Sequence, residues 1–344
     1  MNTLEIITEL KRNKVVPRLE GDQLRLVGET KNLSPEFIEQ VRTSKSDLIS
    51  FLRNSMDQVA FAPIPAVDKQ EYYPASNAQK RLWVLSQFEG GAAAYNIVTS
   101  LYLKGTVIRE NLAKAFRTSM GRHESLRTVF REIDGEPQQV ILDEMPFDIE
   151  FEDISSMEDH KSYLKSEVEQ SSNWKFDLEK GPLIRVKLLQ LPDEGHAMIF
   201  GVHHIISDGW SIGILVPEVL RFYEAICNKE HYAPEPLRIH YKEYAQWLDK
   251  RLGGPRGQDA QEFWKNQELT GIDPLNLPTD FPRPDIKTFE GGLSKFYIDA
   301  DLYAGVLDFC KKNHVTPFNF FRSTLHILLY KFSGQSSNAI GTPV

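Results

Sequence analysis

Apolar residues recur at helical spacing from the start of the chain. Leu4, Ile6, Ile7 and Leu10 form one side, and Thr3 stands ahead of them as a cap, which predicts a helix to about Arg12. Two short strand-like runs follow at residues 15–19 and 23–27, joined by Glu20-Gly21-Asp22, the pattern of a hairpin. Ser34-Pro35-Glu36 then combines a cap, a proline for the first turn and an acid, so a helix starts there with Phe37, Ile38 and Val41 facing inward. A last helix near 47–54 carries Leu48, Ile49, Phe51 and Leu52. Residues 1–57 therefore read as helix, two strands and two helices, a unit small enough to be marginal alone. Residues 58–70 are rich in proline and alanine without a period, and read as a linker.

The pattern resumes at Ser76, a cap for a helix with Leu82, Trp83 and Leu85 inward. Leu112, Ala115, Phe116 and Met120 predict a helix over 110–121, and alternation from Leu126 predicts a strand. A Gly181-Pro182 turn precedes another alternating run at 183–189. The centre of the chain is the apolar run 196–202, which ends in His203-His204-Ile205-Ile206-Ser207-Asp208-Gly209-Trp210-Ser211. A run of this length bounded by a turn signal predicts a buried strand, a turn at Asp208-Gly209, and a helix from Ile212 capped by Ser211. Helices are expected over 260–269, 301–313 and 316–332, with a proline-rich connection at 277–284 and a strand at 293–298.

Two adjacent histidines at a strand end point to opposite faces. One can face a cleft while the other locks into structure, and a loop beside a rigid strand is where chemistry is commonly placed. Asp208, four residues beyond His204, can hold the loop by an ion pair or orient an imidazole. A metal site with His and Asp ligands is the rival; diverging side chains and the lack of a further His/Cys/Asp cluster nearby argue against it.

Composition narrows the function classes. Hydrophobic residues make up 41% and charged ones 26%, as in ordinary globular proteins. A net charge of −8 disfavours a nucleic-acid role. No apolar run spans a bilayer, no signal peptide is evident, and Cys227 and Cys310 lie far apart in sequence, so a soluble cytoplasmic protein is expected, without a membrane partner. Lys11, Arg12, Lys14, Arg18 and Arg25 make the hairpin region basic; singly they suit a solvated face, as a group an acidic peptide.

The run His203-His204-x-x-x-Asp208-Gly209 resembles the motif of nonribosomal peptide synthetase condensation domains, a superfamily that includes epimerisation domains and chloramphenicol-acetyltransferase-like enzymes. Ser76-x-Ala78-Gln79-x-Arg81-Leu82-Trp83-x-Leu85 is similar to the first motif of that family, and Arg122-His123-Glu124-x-Leu126-Arg127-Thr128-x-Phe130 to the second. Tyr241 to Trp247 resembles the fourth, with Glu243 where the family has Asp, and residues 340–344 look like the start of the fifth. The order of elements in residues 1–57 resembles the αββαα docking domains found at the N-termini of synthetase subunits.

The resemblance implies an α/β, chloramphenicol-acetyltransferase-like two-lobed fold behind a small docking domain: docking at 1–57, a linker at 58–70, the first lobe at 71–250, and at 251–344 the start of a second lobe expected to be incomplete, with exposed apolar surface and little activity on its own. It implies amide formation between carrier-protein-bound thioesters, with phosphopantetheine supplied by donor and acceptor carrier proteins and no bound cofactor or metal. His204 is the expected catalytic residue, as general base or as the group that positions the amine. His203 is its structural twin, Asp208 the loop anchor paired with Arg81, and the Gly209 N–H an oxyanion donor. Lys14, Arg18, Leu24, Arg25 and Leu26 are the expected contacts of the docking hairpin with the C-terminal tail of an upstream subunit. The alternatives are an epimerisation domain, a stand-alone acyltransferase using acyl-CoA, and a non-catalytic docking scaffold; the docking module disfavours the first two, and intact His204 and Asp208 the third.

Overall fold

A computed structural model describes residues 3–13, 15–20, 23–28, 30, 33–58, 63–88, 91–192, 195–267, 271–282, 284, 292 and 294–342. The chain divides between Ile64 and Pro65 into two compact units, inside the expected linker.

The first unit contains α1 (Thr3–Arg12), β1 (Val15–Glu20), β2 (Gln23–Gly28), α2 (Pro35–Thr43) and α3 (Lys45–Gln58), the expected order. Thr3 is the first residue of α1 rather than its cap, and α3 reaches Gln58, one residue into the expected linker. Ser34 caps α2 by accepting the Phe37 N–H at 3.2 Å. Ile6, Leu10, Val15, Leu33, Val41 and Leu48 form a small buried core. Leu24 and Leu26 pack against that core from β2. These two expected partner contacts thus lie on the side of the hairpin that faces the module's own core, partly buried, because side chains alternate along a strand. The outer face pairs Arg18 with Arg25 and Val16 with Val27 across the hairpin, and the two valines are half exposed. Lys14 and the Gly21-Asp22 turn lie outside the described residues.

The second unit is built on β4 (Asn96–Leu103), β7 (Glu150–Asp153), β8 (Ile184–Gln190) and β9 (His196–His203), in the order β4-β9-β8-β7. β9 is antiparallel to both neighbours, with Asn96 opposite His203 on one side and Ile184 opposite Val202 on the other. A second sheet holds β3 (Tyr73–Pro74), β6 (Glu136–Ile141) and β5 (Thr128–Ile133). In chain order the helices here are α4 (Asn77–Ser86), α5 (Gly91–Ala94), α6 (Arg109–Arg122), α7 (His160–Ser171), α8 (Gly209–Asn228), α9 (Tyr241–Gly253), α10 (Pro255–Lys265), α11 (Ala300–Lys312) and α12 (Pro317–Ser333). Met198, Phe200 and Val202 of β9 share a core with Leu112 and Phe116 of α6 and Leu215, Val219 and Phe222 of α8. Ala197 and Ile199 face Leu164 and Val168 of α7. The central strand is thus covered on both faces, which is why it reads as a continuous apolar run and not as an alternation.

Gly201 makes the second face possible. A Cβ there would meet the Trp174 ring at 2.6 Å, so only glycine lets the indole lie flat on the strand. The Asn96 side-chain amide donates to the Trp174 carbonyl at 2.7 Å, and the Arg185 guanidinium lies 4.7 Å from the ring centroid.

Three expectations are corrected. Residues 124–127 form a 3-10 turn before β5, because Leu126 packs into the core at the end of α6. Residues 294–299 form no strand: every strand among the described residues ends by His203, and none of them pairs with this segment. Helix α8 starts three residues earlier than expected and is capped by Asp208, not Ser211. In α11 and α12 only Val306 and Cys310 are buried, while Phe309, Phe318, Ile327 and Phe332 are exposed. No helix among the described residues is long and apolar enough to cross a membrane.

One ionic cluster ties α7 to the sheet. Lys187 of β8 lies 2.8 Å from Glu152 and 2.6 Å from Glu167, and the Tyr163 hydroxyl donates to Glu152 at 2.7 Å. Burial alone pushes the Lys187 ammonium down, but its two carboxylate partners outweigh that and raise it to about 12. The hydrogen bond from Lys187, then that from Tyr163, holds the Glu152 carboxyl below its ordinary 4.5. Lys187→Met should cost about 2–3 kcal/mol at neutral pH, less than a fully buried pair because solvent reaches the cluster. The depressed Glu152 contributes stability above 4.5 that is lost as pH falls through its folded value. The gap between variant and wild type in urea melts should therefore shrink below that pH; a gap independent of pH would contradict the assignment.

Candidate active site

The site is built where β9 ends. All eight residues of β9 are buried, and the His203 N–H is fixed to the Leu183 carbonyl at 3.0 Å. The next residue, His204, donates its N–H to the Tyr95 carbonyl at 2.9 Å, so the sheet still holds its backbone while its side chain is exposed. The two histidines thus separate as expected. His203 is 1% exposed, its Nδ1 accepts the Ile205 N–H at 3.2 Å, and Phe176 stands edge-on at 6.2 Å between ring centroids. Burial first, and the neighbouring His204 second, pull the His203 imidazole down to about 4. It is neutral, with its proton on Nε2 because Nδ1 accepts. That buried Nε2 has no hydrogen-bond partner among the described residues.

Asp208 ends the loop. Its Oδ1 accepts the Ser211 N–H at 2.7 Å and the Ser211 hydroxyl at 2.5 Å, which caps the 20-residue helix α8. These two bonds, the hydroxyl first, hold its carboxyl below the ordinary range, and the nearby His204 adds to the effect. The expected ion pair with Arg81 is not formed. Among the described residues no ion pair joins them, because the carboxylate is turned to Ser211 and Arg81 projects into solvent on the opposite side of α4 from buried Gln79. Gly209 is the first residue of α8, and a Cβ there would meet nothing within 4 Å. The first N–H groups of a helix have no partner inside it; Asp208 takes that of Ser211, which leaves Gly209 and Trp210 at the open end. Trp210 is 82% exposed beside them.

A buried polar network holds this loop from behind, and most of it was not foreseen. Ser76 caps α4 by accepting the Gln79 N–H at 3.3 Å, while the Gln79 Oε1 accepts the Ser76 N–H at 2.9 Å. The Gln79 Nε2 donates both to the Ile205 carbonyl and to Gln139 Oε1, each at 3.3 Å. Gln139 in turn donates to the Pro74 carbonyl at 2.8 Å. The Ser76 hydroxyl meets the Tyr241 hydroxyl at 3.0 Å. Glu243 is buried at 5% exposure and accepts the His240 N–H at 2.7 Å. The longer Glu in place of Asp is thus a helix-start residue of α9. The Ser-x-x-Gln spacing at 76–79 signals a capping box in sequence; the longer contacts carry no such signal.

His123 is held by Glu218 of α8, Nε2 to Oε2 at 2.6 Å, and Arg122 takes the other oxygen at 2.9 Å. Between this pair and the loop lies a cavity of about 150 Å³ lined by His123, Ser125, Leu126, Ser207, Ser211 and Ile214.

Residues 69–344 match the family model of the condensation domain. Bacitracin synthase 2 of Bacillus licheniformis is 37% identical over 298 residues, covering 87% of this chain and 11% of that protein. The chain spans about a tenth or less of the curated relatives first matched. Among solved structures, the X-domain from teicoplanin biosynthesis has a TM-score of 0.69 at 26% identity, covering 78% of this chain and 59% of that one. The EpoB cyclization-docking bidomain from Sorangium cellulosum has a TM-score of 0.67 at 19% identity and covers 96% of this chain and 66% of its own, a likeness of fold that takes in both units. The chain belongs to the condensation-domain family of nonribosomal peptide synthetases, a family of acyltransferase-type, amide-forming enzymes of α/β fold that work with carrier protein domains.

The neutral, buried His203 has a measurable consequence. A histidine whose folded value lies near 4 against 6.5 unfolded costs stability as pH falls through that window. His203→Asn keeps an acceptor near the position of Nδ1 but cannot titrate. Wild type should lose ~3 kcal/mol more than the variant between those two pH values, read by urea denaturation across the range. Equal acid slopes would mean that His203 is not held neutral.

Proposed function

We propose that this chain condenses a donor acyl thioester with the amine of an acceptor aminoacyl thioester, both carried on phosphopantetheine arms of carrier proteins, as one portion of a nonribosomal peptide synthetase. The observation that carries the reading is the exposed His204, fixed through its own N–H at the end of a fully buried strand and beside the open end of α8. The acceptor nitrogen forms a bond to the donor carbonyl carbon. His204 accepts the proton that the nitrogen sheds, or aligns the amine through its ring. The oxyanion that develops lies toward the Gly209 and Trp210 N–H groups at the positive end of α8. Collapse restores the carbonyl, breaks the carbon–sulfur bond and releases the donor arm as its thiol once the sulfur regains a proton. Holding both arms in line supplies much of the acceleration. Asp208 keeps the loop closed on α8.

In this reading the first unit docks an upstream subunit through the outer face of its hairpin. Arg18 and Arg25 stand opposite each other there with Val16 and Val27, which suits an extended acidic tail with apolar residues. A cytoplasmic location is part of the same reading and accords with the free Cys227 and Cys310.

Two tests follow. With aminoacyl donor and acceptor carriers and a synthetase containing this chain, His204→Ala should lower dipeptidyl-thioester formation, followed by mass spectrometry, by about 10²-fold or more. Undiminished product in the variant would remove His204 from the chemistry. For docking, Arg18→Glu should weaken binding of a synthetic peptide rich in Asp and Leu at low salt by about tenfold, measured calorimetrically on the whole chain; unchanged affinity would place the peptide elsewhere.

A further inference from the structure

Gln79 is 3% exposed and satisfies its side-chain amide completely within the protein. Its oxygen faces one N–H, that of Ser76, and its nitrogen faces two oxygens, those of Ile205 and Gln139. The orientation of the amide is fixed by this pattern, since the reverse would set its oxygen against two acceptors. Ile205 directly follows His204, and its N–H is already given to His203 Nδ1. Both backbone polar groups of Ile205, the residue next to His204, are therefore held, the N–H by a neutral imidazole and the carbonyl by the Gln79 amide. Gln79 is itself anchored through Gln139 to the Pro74 carbonyl, at the start of the second sheet.

We propose that Gln79 is a positioning residue for condensation: it clamps the Ile205 carbonyl so that the His204 ring is presented to the reacting amine at one depth and angle. The proposal rests on the condensation reading for its kinetic part, but the clamp itself is testable without activity. Loss of the clamp leaves a buried carbonyl unpaired and frees the Ile205–Ile206 peptide to reorient, which loosens the loop that follows His204. A shift of about an ångström at a catalytic group is enough to cost roughly 10²-fold in rate.

Gln79→Glu separates positioning from folding. The new side chain keeps the shape, and its oxygen still accepts the Ser76 N–H. Only its protonated form can donate to Ile205. Burial raises the value of such a carboxyl. The neutral, donating form thus persists below that raised value, and the clamp is lost as pH climbs through it. The kcat of Gln79→Glu relative to wild type should fall by about tenfold or more between pH 6 and 9, with little change in KM for either carrier. Gln79→Met, which never donates, should be low at every pH. Lys80→Ala, which removes the exposed ion pair of the same helix with Glu136, should leave both parameters near wild type. In hydrogen exchange, the segment 203–208 should exchange at least about tenfold faster in Gln79→Met than in wild type while β9 upstream stays protected. A pH-independent ratio for Gln79→Glu at constant folded fraction, or unchanged exchange in Gln79→Met, would overturn the clamp. Absence of product from folded wild type would instead sink the condensation reading and leave the exchange result to stand by itself.

Discussion

The site depends on the burial of β9 on both faces. A strand with sheet partners along both edges and helices above and below has no freedom to slide, because a one-residue slip would exchange every side chain between the α6–α8 face and the α7 face. Gly201 and Trp174 make that exchange still more costly, since any other residue brought to that position drives its Cβ into the indole. The end of β9 is consequently a fixed point in space. Two identical side chains placed at that point meet opposite environments. One becomes neutral core, and the other becomes the exposed group of a rigid loop.

From that fixed point the loop is bound by polar groups that cannot be left unpaired once buried. Their partners come from stretches far apart in sequence. Gln79 reaches Ile205, Tyr241 reaches Ser76, Lys242 reaches Glu124, and His123 and Arg122 share Glu218. Together these contacts involve α4, α6, α8 and α9, and Gln79 also reaches Gln139 of β6. The Lys242–Glu124 pair is nearly buried and Lys242 also lies over the Tyr73 ring, so it closes the gap between the second sheet and α9. The separate sequence motifs are thus parts of one hydrogen-bonded shell.

Sequence periodicity made the helices α1, α4, α6, α8, α11 and α12 legible, because each buries a stripe or carries a cap of its own. The β9 run was legible for a different reason: continuous apolar character over eight residues fits a strand covered on both faces. Strand 293–298 was misread because a strand exists only by pairing, and pairing partners leave no local mark. The exposed Phe296 and Tyr297 supply the β-propensity without the pairing. At the hairpin, apolar character pointed to Leu24 and Leu26 as contacts, whereas parity along β2 turns both to the module's own core and brings Val16 and Val27 to the outer face. For the candidate site, the burial of His203 and the exposure of His204 followed from strand geometry. Gln79 did not, because its value lies in two acceptors 60 and 126 residues away.

The Asp208 carboxylate shows how a competition between two sound expectations is decided. An arginine ion pair across solvent gains little, since both groups give up hydration for it. A cap bond to the Ser211 N–H satisfies a donor that the helix itself cannot satisfy, and it brings the hydroxyl with it. The nearer partner wins, and the outcome shapes the chemistry. With Asp208 committed to Ser211, the negative charge sits within the loop instead of being neutralised by Arg81, and the Gly209 and Trp210 N–H groups stay at the open end of α8. Because His203 is neutral, His204 does not share the end of β9 with a second positive imidazole, and the Asp208 carboxylate stays fixed in the same loop.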